Sequence, residues 1–159
     1  DKIIRAVQQE HTENVCIRMN IPYAYFGDKD GSGARWWANY CRELIKDTPN
    51  IHLEITHTLL PEIELLDFLA QNDINCFFYD DNAGRGISGT LDYALAAKKP
   101  IAITKSWQFK HMWDDDIIYH ETENTLSEII VRGIKPLEQY HQKWNTQTLI
   151  QAFERTFTV

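Results

Sequence analysis

Hydrophobic residues follow two periods along the chain, and the two periods separate candidate strands from candidate helices. Short runs that are apolar or alternate with polar residues predict strands at residues 15–19, 51–55, 74–79, 100–104 and 117–119. Spacings of three and four residues predict helices from Ala34, after Pro61, over residues 88–97, from Leu126, and from Tyr140 into the tail.

Strands and helices alternate in this order at least four times. The alternation predicts an α/β fold with a Rossmann-like parallel sheet of about five strands and helices on both faces. The run at 74–79 is apolar apart from Asn75, as expected of a strand covered on both sides. The absence of a repeat or linker predicts a single domain over residues 1–159. The opening at Asp1 without a methionine suggests a fragment of a longer, two-domain chain.

Composition narrows the classes of function. The chain has 16 Lys and Arg against 23 Asp and Glu, which gives a formal net charge of −7. Such a balance argues against nonspecific binding to nucleic acid or to an anionic membrane, because both require a positive field. No apolar run approaches the roughly 20 residues of a membrane span. Cys16, Cys41 and Cys76 are odd in number and lack a CxxC spacing, so we expect buried thiols of a cytoplasmic protein.

The loop after the third predicted strand, residues 80–90, carries most of the candidate chemistry. In a parallel sheet, ligands bind at the carboxyl ends of the strands. This loop contains three glycines, Arg85, and hydroxyl groups at Ser88 and Thr90. Backbone amides at the start of a helix bind phosphate, and a guanidinium supplies a forked donor. The alternative is a glycine-rich turn in which Ser88 caps the following helix, and the loop by itself does not decide between them.

Residues 88–103, with the sequence SGTLDYALAAKKPIAI, resemble the donor-binding segment of GT-B glycosyltransferases similar to glycosyl transferase family 4. The glycine turn at 27–31 and the aromatic Trp144 resemble the family's opening turn and closing helix. The resemblance implies the C-terminal, nucleotide-sugar-binding half of a GT-B fold. It implies transfer of a hexosyl group from a nucleotide-diphosphate sugar to a glycan or another acceptor, as in polysaccharide biosynthesis. The N-terminal acceptor domain is absent from the sequence, so we expect no turnover from this segment alone.

The resemblance also implies roles for individual residues. The diphosphate is expected at Arg85, Gly86, Ile87, Ser88 and Gly89, with Lys29 as a second cation, and the ribose at Asp92 or Tyr93. Retaining members carry two glutamates eight positions apart, and the matching positions here are Arg85 and Tyr93. Catalytic residues and the stereochemical outcome are therefore left unassigned. The resemblance implies no metal and no cofactor beyond the donor itself.

Two other hypotheses about function stay open. One is a non-catalytic, flavodoxin-like interaction module with a receiver-like acidic pocket at Asp80 and Asp81. The other is a nucleoside-processing enzyme resembling deoxyribosyltransferases, with Asp92 as a carboxylate nucleophile. The acidic run at 114–116 matches no metal-ligand spacing and is interpreted as a solvated turn.

Overall fold

The computed structural model describes residues 1–23, 27–81 and 84–157, which belong to two compact units divided between Leu65 and Leu66. The first unit contains α1 (Lys2–Glu10), β1 (Val15–Asn20), α2 (Ser32–Ile45) and β2 (Ile51–Thr56), and α3 (Glu62–Ala70) spans the division. The second unit continues with β3 (Asn75–Phe77), α4 (Thr90–Ala96), β4 (Ile101–Ile103), the 3₁₀ helix Trp107–Met112, α5 (Leu126–Arg132), the 3₁₀ helix Lys135–Leu137, α6 (Glu138–Lys143) and α7 (Thr146–Phe157).

The first unit has a two-stranded parallel sheet. β1 and β2 pair in register, from Val15 opposite Ile51 to Asn20 opposite Thr56. Because side chains alternate between the two faces of a strand, Ile17 and Ile51 are buried on one face. Residues of the other face, such as His52, are exposed. The sheet therefore has one apolar face and one polar face.

Small residues form the buried face of α2. Ala34, Ala38 and Cys41, at spacings of four and three, are buried against the rest of the unit. The sequence pattern correctly predicts this helix but places Trp37 on its buried face, and the structure leaves the Trp37 side chain about half exposed. An alanine stripe lets the helix pack closely, so the large rings stay outside.

The second unit packs around β3 and β4, which pair in parallel with Asn75 opposite Ile101 and Phe77 opposite Ile103. Its core brings together side chains from α4, β4, the first 3₁₀ helix and the segments that follow. The buried members are Leu91, Ala94, Leu95, Ile101, Ile103, Phe109, Met112, Ile117, Leu137 and Tyr140. This core fixes the ends of β3 and β4, from which the candidate site emerges.

The predicted five-stranded sheet with helices on both faces is wrong. The described residues form two separate parallel sheets of two strands each. The predicted strand at 117–119 is reduced to a bridge between Ile118 and Ile103. β3 and β4 are also shorter than predicted. Beyond Phe77 a side chain forms a hydrogen bond between the two segments in place of the backbone: Thr104 Oγ1 donates to the carbonyl oxygen of Tyr79 at 2.6 Å.

Candidate functional site

Side-chain hydrogen bonds tie the loop after β3 to the loop after β4. Beyond the bond from Thr104 to Tyr79, Ser106 Oγ donates to the carbonyl oxygen of Asp80 at 3.1 Å. The amide of Trp107 donates to Asp81 Oδ1 at 2.9 Å. Ser106 is fully buried. The two loops are therefore held together at the carboxyl ends of parallel strands, which is where ligands bind in α/β proteins.

Three hydroxyl groups meet where this loop joins α4. Ser88 Oγ lies 2.9 Å from Thr90 Oγ1, and Tyr79 Oη lies 3.5 Å from the same atom. All three side chains are half-buried. Hydroxyl groups both donate and accept hydrogen bonds, so the chemistry of this cluster suits a phosphate or a sugar.

The segment before this cluster is exposed. Arg85, Gly86 and Ile87 are open to solvent, and Gly84 adopts a φ of +89°, which favours glycine. Apart from Gly86 and its two chain neighbours, the described residues place no heavy atom within 4 Å of the position that a Cβ on Gly86 would occupy. Asn82 and Ala83 of the same predicted loop lie outside the described residues. The backbone at Gly86 is therefore open to the approach of a ligand.

The backbone at the start of α4 differs from the expected phosphate cradle. The helix begins at Thr90, two residues later than predicted, and has seven residues. The Ser88 amide donates to the carbonyl oxygen of Gln108 at 3.0 Å. Gly89 is exposed and precedes the helix. What Ser88 offers a ligand is therefore its hydroxyl group and not its amide.

Asp92 and Tyr93 lie on the first turns of α4, and the structure adds His111 beside them. Asp92 is exposed, and its Oδ1 lies 3.9 Å from Nε2 of the mostly buried His111. Burial lowers the pKa of His111, and the Asp92 carboxylate opposes this with a smaller effect. Tyr93 is 37% exposed. Sequence reasoning missed this pairing, because residues 19 positions apart meet only through the tertiary fold.

Two tryptophans and two lysines border the loop after β4. The rings of Trp107 and Trp113 meet edge to face at 5.9 Å, and both are partly exposed. Lys110 Nζ lies 4.5 Å from the centre of the Trp107 ring, and Lys105 Nζ lies 5.8 Å from that of Trp113. Trp113 is anchored by its indole N–H, which donates to the carbonyl oxygen of Ser106 at 3.0 Å. This arrangement offers flat apolar surface with positive charge nearby.

Lys29 belongs to the first unit and is exposed in the loop before α2. Its neighbour Asp28 already occupies the helix start: Oδ1 accepts from the Gly33 amide and Oδ2 from the Ala34 amide, both at 2.8 Å. Lys29 therefore lies next in sequence to a carboxylate that already caps the start of α2.

The acidic residues considered for other functions have structural partners. Asp81 accepts the Trp107 amide, as described above. Asp114 accepts from Gln139 Nε2 at 2.5 Å, and Asp116 Oδ1 lies 3.7 Å from Arg132 Nε. These contacts fit the interpretation of 114–116 as a turn, and they give the Asp81 carboxylate a role in holding the two loops together.

The exposure of the cysteines differs from the sequence expectation. Cys41 is buried as predicted, Cys76 is half-buried, and Cys16 is exposed, which contradicts the prediction for that residue. Cys16 lies on the polar face of the first sheet, because its neighbour Ile17 takes the buried face of β1. Polar and apolar residues alternate along β1, and this alternation is the sequence signal that indicates an exposed Cys16.

Comparison with known protein families, curated proteins and solved structures finds no match to this chain. In the part of the chain that the structure describes, no helix combines the length and apolar character needed to cross a membrane. The functional assignment therefore depends on the residues and geometry of the site.

Proposed function

We propose that the second unit binds the nucleotide-diphosphate part of a sugar donor, as the donor-binding part of a glycosyltransferase. The observation that carries the proposal is the exposed segment from Arg85 to Ile87, which leads from the carboxyl end of β3 into the hydroxyl cluster of Tyr79, Ser88 and Thr90. The resemblance of residues 88–103 to donor-binding segments is a second support for the proposal.

The chemistry of the segment suits a diphosphate. A guanidinium such as that of Arg85 can donate two parallel hydrogen bonds to phosphate oxygens. The hydroxyls of Ser88 and Thr90 add neutral donors, and the open space at Gly86 lets the ligand approach the backbone. The exposed carboxylate of Asp92 accepts hydrogen bonds from ribose hydroxyls. It would repel a phosphate, so the diphosphate belongs on the Arg85 side of the site.

In this proposal, the chain positions the sugar donor and stabilises the leaving diphosphate. Charge develops on the diphosphate as the sugar departs, and fixed donors aimed at that charge lower the barrier. We place the protein in the cytoplasm. The support is that Cys16, Cys41 and Cys76 form no disulfide bond, as is common in a reducing compartment.

Calorimetric titration with UDP, GDP and ADP tests the proposal. We expect one of the three to bind, and Arg85→Ala to weaken that binding by roughly tenfold or more, because a charged hydrogen bond contributes about 1.5–3 kcal/mol. Ser88→Ala should weaken it by a smaller factor. The matched control is Arg155→Ala in α7, which removes the same charge from an exposed position in the same unit.

Two results would contradict the proposal. One is the absence of binding by all three nucleotides at millimolar concentration, which would favour the interaction-module hypothesis. The other is equal affinity in Arg85→Ala and Arg155→Ala, which would show that the Arg85 guanidinium does not contact the diphosphate.

A further inference from the structure

The polar face of the sheet in the first unit groups three side chains that ligate transition metals. Cys16 on β1 stands directly opposite His52 on β2, and Glu54 follows His52 two residues along the same strand. All three are exposed on the face opposite Ile17 and Ile51. The parallel register, and not chance proximity of mobile loops, brings them together.

The distances between the donor atoms are close to those of a metal site. One ligand atom from each residue lies within 4.8 Å of the other two. His52 Nε2 and Glu54 Oε1 are 3.6 Å apart. Bond lengths of tetrahedral zinc sites place neighbouring ligand atoms about 3.4–3.6 Å apart. The imidazole and the carboxylate already have this separation, and the thiol needs to approach by no more than about 1.4 Å.

The donor set selects the type of ion. A thiolate is a soft ligand that disfavours Mg²⁺ and Ca²⁺, which take oxygen ligands. Thiolate, imidazole and carboxylate together suit Zn²⁺, and three protein ligands leave the fourth position for water or another molecule.

Arg18 orients the carboxylate for this role. Its Nε lies 3.5 Å from Glu54 Oε2, whereas Oε1 is the oxygen that faces His52. The guanidinium therefore holds one oxygen and leaves the other directed towards the cluster. Partners of this kind fix the geometry of ligating side chains in metal sites.

We propose that Cys16, His52 and Glu54 form a binding site for Zn²⁺ on the exposed face of the first sheet. The site lies in the first unit and involves none of the residues assigned to nucleotide binding. Its test uses no nucleotide, so failure of either proposal leaves the other intact.

The experiment is a titration of the reduced, metal-free chain with Co²⁺, followed by displacement with Zn²⁺. Cobalt bound to a thiolate absorbs in the near ultraviolet by charge transfer, which reports on the sulfur directly. We expect one equivalent of Co²⁺ to produce this absorption and Zn²⁺ to abolish it. Cys16→Ser should eliminate the absorption, and His52→Gln and Glu54→Gln should each weaken binding by about tenfold or more.

Two variants serve as matched controls, and circular dichroism checks that every variant folds. Cys76→Ser removes a thiol outside the cluster. His11→Gln removes a histidine whose Nδ1 lies 2.5 Å from Glu13 Oε1, a pair of the same kind without a cysteine. Both controls should bind Co²⁺ as the unaltered chain does. The proposal is overturned if no saturable absorption develops, if it persists in Cys16→Ser, or if the controls lose it equally.

Discussion

The imidazole of His111 lies in surroundings that favour its neutral form. Its side chain is mostly buried and its ring lies 5.9 Å from that of Trp144. Neither ring nitrogen has a hydrogen-bond partner among the described residues. Burial lowers the pKa of His111, and the Asp92 carboxylate at 3.9 Å only partly offsets this. The folded chain therefore takes up this proton at lower pH than the unfolded chain does.

This difference predicts a loss of stability in mild acid. Between the lowered pKa of folded His111 and the ordinary value of 6.5, the unfolded state binds more protons than the native state. The free energy of unfolding therefore falls as the pH falls through this window. Urea unfolding at several pH values from about 7 to about 5 should show a smaller loss in His111→Gln than in the unaltered chain.

The control for this measurement is His120→Gln, which removes an exposed histidine of the same unit. It should leave the pH dependence close to that of the unaltered chain. An unchanged pH dependence in His111→Gln would show that His111 is not the group responsible.

At the scale of elements, the start of α2 depends on a carboxylate from the preceding loop. Asp28 accepts hydrogen bonds from the amides of Gly33 and Ala34, two of the groups that a helix leaves unsatisfied at its first turn. Gly31 adopts a φ of +68°, and a Cβ there would lie 2.6 Å from the ring of Tyr23. The glycine thus permits the turn that brings Asp28 to the helix.

Asp28→Ala should lower the free energy of unfolding by about 1–2 kcal/mol, because both amides lose their acceptor and the helix dipole loses a favourable negative charge. Asp28→Asn should cost less, since one oxygen remains. Urea denaturation measures both. Asp47→Ala, at an exposed acid after the same helix, should change stability by no more than about 0.5 kcal/mol. Equal effects of Asp28→Ala and Asp47→Ala would contradict the capping role.

Elements with a clear period could be predicted from the sequence, whereas their mutual contacts could not. The alternation of β1 and β2 is visible in the sequence, and both strands form where predicted. The ends of β3 and β4 depend on hydrogen bonds from Thr104 and Ser106 to backbone carbonyls 25 and 26 residues away. In the candidate site, the binding of a diphosphate by Arg85 stays a prediction, and the structure shows that this residue is exposed. The His111–Asp92 pair has no local signal.

At the scale of the whole molecule, the prediction of a five-stranded sheet overlooks the polar residues in the first two strands. Cys16, His52 and Glu54 alternate with apolar neighbours, and a strand that alternates in this way has one face towards solvent. A sheet covered by helices on both faces favours strands that are apolar along nearly their whole length, and the chain comes nearest to this at residues 74–79, apart from Asn75, and at residues 100–103. The difference in pattern between the first two strands and the later two agrees with the two separate sheets that the described residues form.

The net charge of −7 leads to different expectations for the binding of a nucleotide and the binding of a nucleic acid. A polyanion feels the field of the whole chain, which repels it, whereas a single diphosphate is held by short-range donors such as Arg85. We therefore expect no binding of labelled duplex DNA in fluorescence anisotropy, even at about 50 mM salt, where such binding is strong for basic proteins. A saturable rise in anisotropy that weakens with added salt would show that local positive charge outweighs the acidic excess.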